Sequence, residues 1–92
     1  MLFMVIERFP GNSLTAVGER FGRTGRMLPD GVIYHASWFD ASGERCFQIM
    51  EAPSRGALDA WIAHWEDLVE FEVLAVVPSA EFWALRRPPP SP

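Results

Sequence analysis

The sequence predicts an α+β domain, and three observations support that class. Four segments have the length of strands and are rich in apolar, β-branched or aromatic residues: residues 2–8, 31–40, 44–51 and 69–77. Between the first two segments, and again between the last two, hydrophobic residues recur at helical spacing. Turn-forming residues separate neighbouring segments. The predicted element order is therefore β-α-β-β-α-β.

The first strand, LFMVIER at residues 2–8, is followed by the turn PGNS, in which Ser13 is a predicted helix N-cap. The next helix is hydrophobic on one side, through Leu14, Val17, Phe21 and Leu28. The sequence PDG at residues 29–31 ends this segment, because proline stops a helix and glycine favours a turn.

A hairpin and a second helix follow. Residues 31–40 and 44–51 are predicted to pair across the turn DASG, and Ser54 is a predicted N-cap. The second helix carries the clearest hydrophobic stripe in the chain: Leu58, Trp61, Ile62, Trp65 and Leu68. Residues 69–77 then form the last strand.

This order is typical of ferredoxin-like folds, with a four-stranded antiparallel sheet and two helices on one face. Right-handed crossovers place the first and third strands in the middle and the second and fourth at the edges. We expect a domain over residues 1–77, an extension with a short helix over 78–87, and a disordered proline-rich tail over 88–92.

Composition excludes several function classes. The net charge is −4 and all eight basic residues are arginines, so we expect no nucleic-acid partner, which needs a clustered basic face. No apolar run reaches about 18 residues, so no membrane span is expected. One cysteine and two histidines without carboxylates at ligand spacing predict no metal and no cofactor. The single cysteine favours the reducing cytoplasm.

Five sequence blocks carry a family resemblance: MLFMVIERF, RFGRTGRMLPDG, SWFD, RCFQIME and WEDLVEFEV. Together they resemble the bacterial domain-of-unknown-function family 3303, over residues 1 to about 77. The resemblance implies a dimeric α+β barrel, in which two ferredoxin-like subunits pack sheet against sheet. It implies no activity, and relatives by fold alone, such as cofactor-less monooxygenases and isomerases, are only analogies.

One end of the predicted sheet gathers charged residues: Glu7, Arg8, Arg45, Glu70 and Glu72. They can be read as an anion or acid–base site. We favour an ion-pair network that closes the end of the sheet, because paired surface charges are common.

The hairpin register decides whether Cys46 and His35 share a face. A four-residue loop pairs Ser37 with Cys46 and His35 with Gln48. A three-residue loop with Gly43 in a left-handed bulge pairs Trp38 with Cys46 and Ala36 with Gln48. The second pattern fits the position of the glycine and is favoured.

In the favoured register, His35 lies opposite Cys46, on the face with Phe47 and Ile49, so no cysteine–histidine pair forms. Cys46 is then expected to be an inert buried thiol. Phe47 and Ile49 are expected in the core. His35 remains a weak catalytic candidate, as the one plausible base at neutral pH.

Gln48 is an amide in the middle of a central strand and must find hydrogen-bond partners. In the favoured register it shares an apolar face with Tyr34, Ala36, Trp38, Cys46 and Met50. Such a face suits a small-molecule pocket or a dimer interface, and we favour the interface.

Trp61 and Trp65 are expected to be core anchors rather than the wall of a ligand site. Arg20, Arg23 and Arg26 suit the C-terminal end of a helix, and Arg26 could bind an anion if it folds back over the sheet. The predicted ligand-binding residues are Tyr34, Trp38, Gln48, Trp65 and Arg26.

The sequence thus predicts a small homodimer that binds a small organic molecule or a partner protein. The alternative is a cofactor-independent monooxygenase or isomerase acting on a small aromatic or acidic metabolite. A binder or enzyme of this kind is expected to have a cavity of at least about 300 Å³ with His35 or Gln48 on its wall.

Overall fold

The computed structural model describes residues 1–86 and contains one four-stranded sheet in that range. Its strands are β1 (Leu2–Arg8), β2 (Ile33–Phe39), β3 (Arg45–Glu51) and β4 (Glu70–Val76). The order across the sheet is β2-β3-β1-β4, and all neighbours are antiparallel. The predicted ferredoxin-like arrangement, with β1 and β3 central, is confirmed. The predicted disordered tail, residues 88–92, lies outside the described range.

The helices are α1 (Leu14–Thr24), α2 (Arg55–Ile62) and α3 (Ser79–Arg86), with a short 3₁₀ turn at Pro10–Asn12. Ser54 caps α2 as predicted, because its hydroxyl accepts the Ala57 N–H at 3.1 Å. Ser13 does not cap α1. Its hydroxyl donates instead to the Leu68 carbonyl at 2.6 Å, which ties the start of α1 to the segment after α2.

The core lies between one face of the sheet and the helices α1 and α2. Alternate residues of β1 and β3 are buried, as are inward side chains of α2 and of the turn that follows it: Phe3, Val5, Met50, Leu58, Trp61 and Trp65. Burying a large apolar side chain stabilises the fold by about 1.5–3 kcal/mol. Trp61 and Trp65 are core anchors, as predicted.

Over residues 36–39, next to the loop, the hairpin adopts neither predicted register. Phe39 pairs with Cys46, Trp38 with Phe47 and Ser37 with Gln48. The loop is longer than predicted, because the Asp40 carboxylate accepts the Glu44 N–H at 2.9 Å and the Asp40 N–H donates to the Arg45 carbonyl at 2.9 Å. Trp38 therefore lies on the face opposite Gln48, contrary to the prediction.

An irregularity in β2 between Tyr34 and Ala36 shifts the register by one residue. On the loop side of the irregularity, Ala36 pairs with Ile49 and lies on the face opposite Gln48, so this prediction is also wrong. On the other side, Tyr34 pairs with Met50, as the favoured register predicts. His35 Nε2 lies 2.9 Å from Glu51 Oε1 on the side of the sheet that faces away from the helices. Cys46 and His35 are thus apart, as expected.

The second face of the sheet carries none of the fully buried strand residues. We call it the open face. Phe47 and Ile49 lie on it and are half-buried, so their predicted place in the core is wrong. Ile33, Trp38 and Leu74 on the same face are 48%, 59% and 45% exposed.

Candidate ligand site between the sheet and the helices

A cavity of about 160 Å³ lies between the helix-covered face of the sheet and the helices α1 and α2. It is smaller than the cavity that the sequence predicts for a binder. A cavity of about 150 Å³ in another protein holds one benzene molecule. This cavity therefore has room for a single ring and is open on one side.

The cavity wall has eleven residues, of which five are aromatic, five are polar or ionisable, and the other is Val17. The aromatic residues are Phe9, Phe21, Phe39, Trp61 and Trp65, and the polar or ionisable ones are Glu7, Arg26, Ser37, Cys46 and Gln48. Phe9 and Phe39 stack on each other with ring centroids 5.8 Å apart. A mostly apolar wall with a few convergent polar groups is the usual composition of a small-molecule site.

Glu7 and Gln48 are the buried polar pair of this wall, and each is only 7% exposed. β1 and β3 bring them together, since Glu7 pairs with Cys46 two residues from Gln48. Gln48 Nε2 donates a hydrogen bond to Glu7 Oε1. This hydrogen bond gives the buried amide of Gln48 the partner that it needs in a central strand.

Burial raises the pKa of Glu7, because the low-dielectric surroundings disfavour its charge. Hydrogen bonds from Gln48 and Cys46 and the charge of Arg26 act in the opposite direction and reduce the increase. A carboxyl group with a raised pKa keeps its proton to a higher pH than a free carboxyl group does. Such a group is suited to acid–base chemistry.

Cys46 adjoins Glu7 and is not an activated thiol. Burial and the nearby Glu7 charge raise the pKa of Cys46 to about 12. The side chain is therefore a protonated thiol at neutral pH, and reactivity requires the thiolate.

Arg26 reaches the cavity from the segment that follows α1. Gly25 and Met27 have φ of 66° and 58°, so the chain turns sharply on both sides of Arg26. The Arg26 carbonyl accepts two indole N–H groups, from Trp61 at 3.0 Å and from Trp65 at 3.1 Å. Two core side chains of the second helical segment thus hold the Arg26 backbone in place.

Aromatic rings orient the Arg26 side chain. Its guanidinium carbon lies 3.5 Å from the centre of the Tyr34 ring and 5.0 Å from that of Phe21. The Tyr34 hydroxyl is 2.6 Å from Ser37 Oγ. Tyr34 and Ser37 can face the same side because the irregularity in β2 lies between them.

The predicted ligand-binding residues divide into two groups. Gln48, Trp65 and Arg26 line the cavity, and the ring of Tyr34 contacts the guanidinium of Arg26. Trp38 projects from the open face and does not line the cavity. The catalytic candidate His35 also lies away from it, half-exposed beside Glu51.

Sequence reasoning missed Glu7 as a cavity residue and grouped it with the charges at the end of the sheet. Arg8 there pairs with Glu72 at 3.4 Å, and Arg45 with Asp40 at 3.3 Å, as ion pairs near the surface. Glu7 belongs to neither. Its alternation with the buried Phe3 and Val5 was the available signal.

Comparisons with known proteins give a family and a fold. A family model described as domain of unknown function (DUF3303) matches residues 1–88, further than the blocks quoted above extend. Among solved structures, Rv0793 from Mycobacterium tuberculosis matches with a TM-score of 0.51 and 23% identity, covering 87% of this chain and 99% of that one. At this identity the match supports the fold alone. No curated protein matches the chain.

Residues 1–86 contain neither a membrane-spanning helix nor a cluster of metal ligands. No helix there is both long and apolar enough to cross a membrane. No group of three or more His, Cys, Asp or Glu side chains is arranged to hold a metal ion.

Proposed function

The chain belongs to the DUF3303 family, and on that premise we propose that it binds one small, planar organic molecule in the cavity between sheet and helices. The observation that carries this proposal is the cavity wall, where five aromatic side chains surround the buried Glu7–Gln48 pair. Aromatic faces supply most of the contact with a flat ligand. The amide and carboxyl groups orient it through hydrogen bonds.

The size of the cavity limits the ligand. A volume of about 160 Å³ suits one ring with a short substituent, and the open side lets the substituent reach solvent. Molecules with two fused rings would need the walls to move.

Blocking the cavity from α1 tests this function. Val17 lines the cavity, whereas Thr15, on the same helix, is exposed. We expect Val17→Phe to fill the space and abolish binding of ring-sized probes such as benzoate, benzamide and phenol. Thr15→Phe adds the same ring to the surface and is expected to leave binding unchanged.

Thermal-shift assays and titration calorimetry would measure both variants. Binding stabilises the folded state by mass action, so a ligand at about 100 times its Kd adds about 2.7 kcal/mol. Equal binding by the Val17→Phe variant and the wild type would show that the probes bind elsewhere. Absence of binding by the wild type to every ring-sized probe would contradict the proposed function.

We also propose that the protein is a cytoplasmic homodimer joined through the open face. Exposed apolar side chains on this face, including Ile33, Trp38 and Leu74, support the proposal. Packing two copies sheet against sheet would remove these side chains from water. The free, buried Cys46 fits a reducing compartment.

A second candidate function is a cofactor-independent isomerase, and the buried Glu7 favours it. Glu7 would take a proton from a carbon beside a carbonyl group, while the electron pair moves onto the carbonyl oxygen. The proton would then return at a neighbouring atom, so that no oxidant is consumed. This chemistry uses a residue that is present, whereas a monooxygenase also needs a route for oxygen activation.

Glu7→Gln separates binding from catalysis. Gln keeps the shape of Glu and one acceptor oxygen but cannot take up the proton. An isomerase would lose turnover by about 100-fold or more while still binding its substrate. Hydrogen–deuterium exchange into bound carbonyl compounds, followed by NMR, would measure the loss.

A further inference from the structure

We propose that the ligand of this cavity is a monoanion, a carboxylate attached to a single ring, and that Arg26 binds the carboxylate. The proposal rests on the proposed function, because it identifies the chemical class of the molecule in the same cavity. Arg26 would then be the residue that makes the cavity bind charged ligands more tightly than neutral ones.

Contacts to both its backbone and its side chain hold Arg26 in place at the cavity wall. Two indole N–H groups hold its carbonyl, and the rings of Tyr34 and Phe21 flank its guanidinium. A guanidinium held over aromatic rings can still offer its N–H groups, which lie in its plane, to an acceptor. A carboxylate matches these N–H groups with two parallel hydrogen bonds.

Arg26 differs from most of the other arginines in its ion pairing. Four other arginines in residues 1–86 have an acidic partner: Arg8 with Glu72, Arg20 with Asp67, Arg45 with Asp40, and Arg55 with Asp59. Arg26 forms no ion pair within that range, although it is half-buried on the cavity wall. Arg23 and Arg86 also form none, but both are exposed to solvent. The charges of Arg26 and Glu7 act on each other across the cavity wall but form no ion pair. An anionic ligand would therefore give the half-buried guanidinium a direct acceptor in place of the water that burial removes.

Glu7 limits the charge of that ligand. Its carboxyl group lies on the same cavity wall, and a doubly charged phosphate would be repelled by it. A monoanion balances Arg26, and the repulsion that remains is relieved when Glu7 takes up a proton. The ionisable groups that face this space are Glu7, Arg26 and Cys46, with Tyr34 behind Arg26.

The experiment compares acids with amides of the same shape. Benzoate and phenylacetate carry the charge, whereas benzamide and phenylacetamide are neutral. Calorimetry or NMR titration would measure all four with the wild type, with Arg26→Gln, and with Arg23→Gln as the control. Arg23 is exposed near the C-terminal end of α1 and does not line the cavity.

We expect the wild type to prefer each acid over its amide by about tenfold or more. Arg26→Gln should lose this preference by weakening acid binding alone, and Arg23→Gln should keep it. Amides that bind the wild type as tightly as the acids would overturn the inference but leave the proposed function standing. If neither acids nor amides bind, the proposed function fails and the inference fails with it.

A pH series provides a readout that does not require the Arg26 variant to fold. Acid binding by the wild type should weaken as pH rises through the raised pKa of Glu7, because Glu7 then ionises beside the bound anion. Glu7→Gln should flatten this dependence, and amide binding should be insensitive to pH. Acid binding that is independent of pH in the wild type would contradict the placement of the anion beside Glu7.

Discussion

Glu7 and Gln48 meet on the helix-covered face of the sheet, where the Gln48 amide donates a hydrogen bond to the Glu7 carboxylate. They lie on neighbouring central strands and are almost completely buried. A buried carboxylate is costly unless donors surround it. This pair therefore links the stability of the domain to the chemistry of the cavity.

Replacing Glu7 by Gln should change how stability depends on pH. Burial raises the folded pKa of Glu7 above its ordinary value, so the folded chain holds this proton to higher pH than the unfolded chain does. The contribution of Glu7 to stability is therefore present at low pH and is lost as pH rises through the folded pKa. We expect the Tm of Glu7→Gln, relative to wild type, to rise over this range.

Glu66→Gln is the matched control, because Glu66 is exposed. Its Tm should follow that of the wild type at every pH. If Glu7→Gln also ran parallel to the wild type, the burial of a charge at Glu7 would be refuted.

Removing the amide should destabilise the domain. In Gln48→Leu the Glu7 carboxylate loses a donor, and we expect a loss of about 1–3 kcal/mol in the free energy of unfolding near neutral pH. Urea unfolding would measure the loss. The double variant Glu7→Leu with Gln48→Leu should recover part of it, because both polar groups are then replaced. Strict additivity of the two single effects would mean that the pair does not interact.

The thiol of Cys46 should react slowly in the folded protein. Its pKa is raised to about 12 by burial and by Glu7, so little thiolate exists near neutral pH. We expect iodoacetamide to modify the native protein at least about a hundredfold more slowly than the urea-unfolded chain. Mass spectrometry over time would follow the reaction. Modification at the same rate in both states would rule out an inert Cys46.

A charge on the open face should separate the proposed dimer. Trp38 is 59% exposed, and its side chain takes part in no hydrogen-bond network within residues 1–86. Trp38→Glu therefore changes the surface without disturbing the core. Light scattering should give twice the chain mass for the wild type and the single mass for this variant. Thr15→Glu, on the outside of α1, should remain dimeric. A monomeric wild type would contradict the homodimer.

Strand order and the placement of the two main helices followed from the sequence because they depend on length, periodicity and right-handed crossover. Trp61 and Trp65 were placed in the core by the same periodicity. Glu7 could have been placed on the buried face from its alternation with Phe3 and Val5. Because Glu7 was grouped with other charged residues, it was predicted to belong to an ion-pair network at the end of the sheet.

The hairpin register was out of reach for a different reason. It depends on the hydrogen bond from the Glu44 N–H to the Asp40 side chain and on an irregularity beside His35. Neither leaves a pattern in the sequence, yet each shift of one residue moves side chains to the other face. The position of Arg26 likewise depends on the left-handed backbone of Met27, a conformation that non-glycine residues seldom adopt.

The side-chain N–H signals of the tryptophans test the central claim, ligand binding in the cavity, most directly. Trp61 and Trp65 line the cavity, whereas Trp38 and Trp83 are exposed elsewhere and serve as internal controls. Titration with benzoate and benzamide to about 10 mM should shift the Trp61 and Trp65 signals saturably with at least one probe, and leave the other two in place. The account is contradicted if neither probe moves the cavity signals, or if only Trp38 and Trp83 respond.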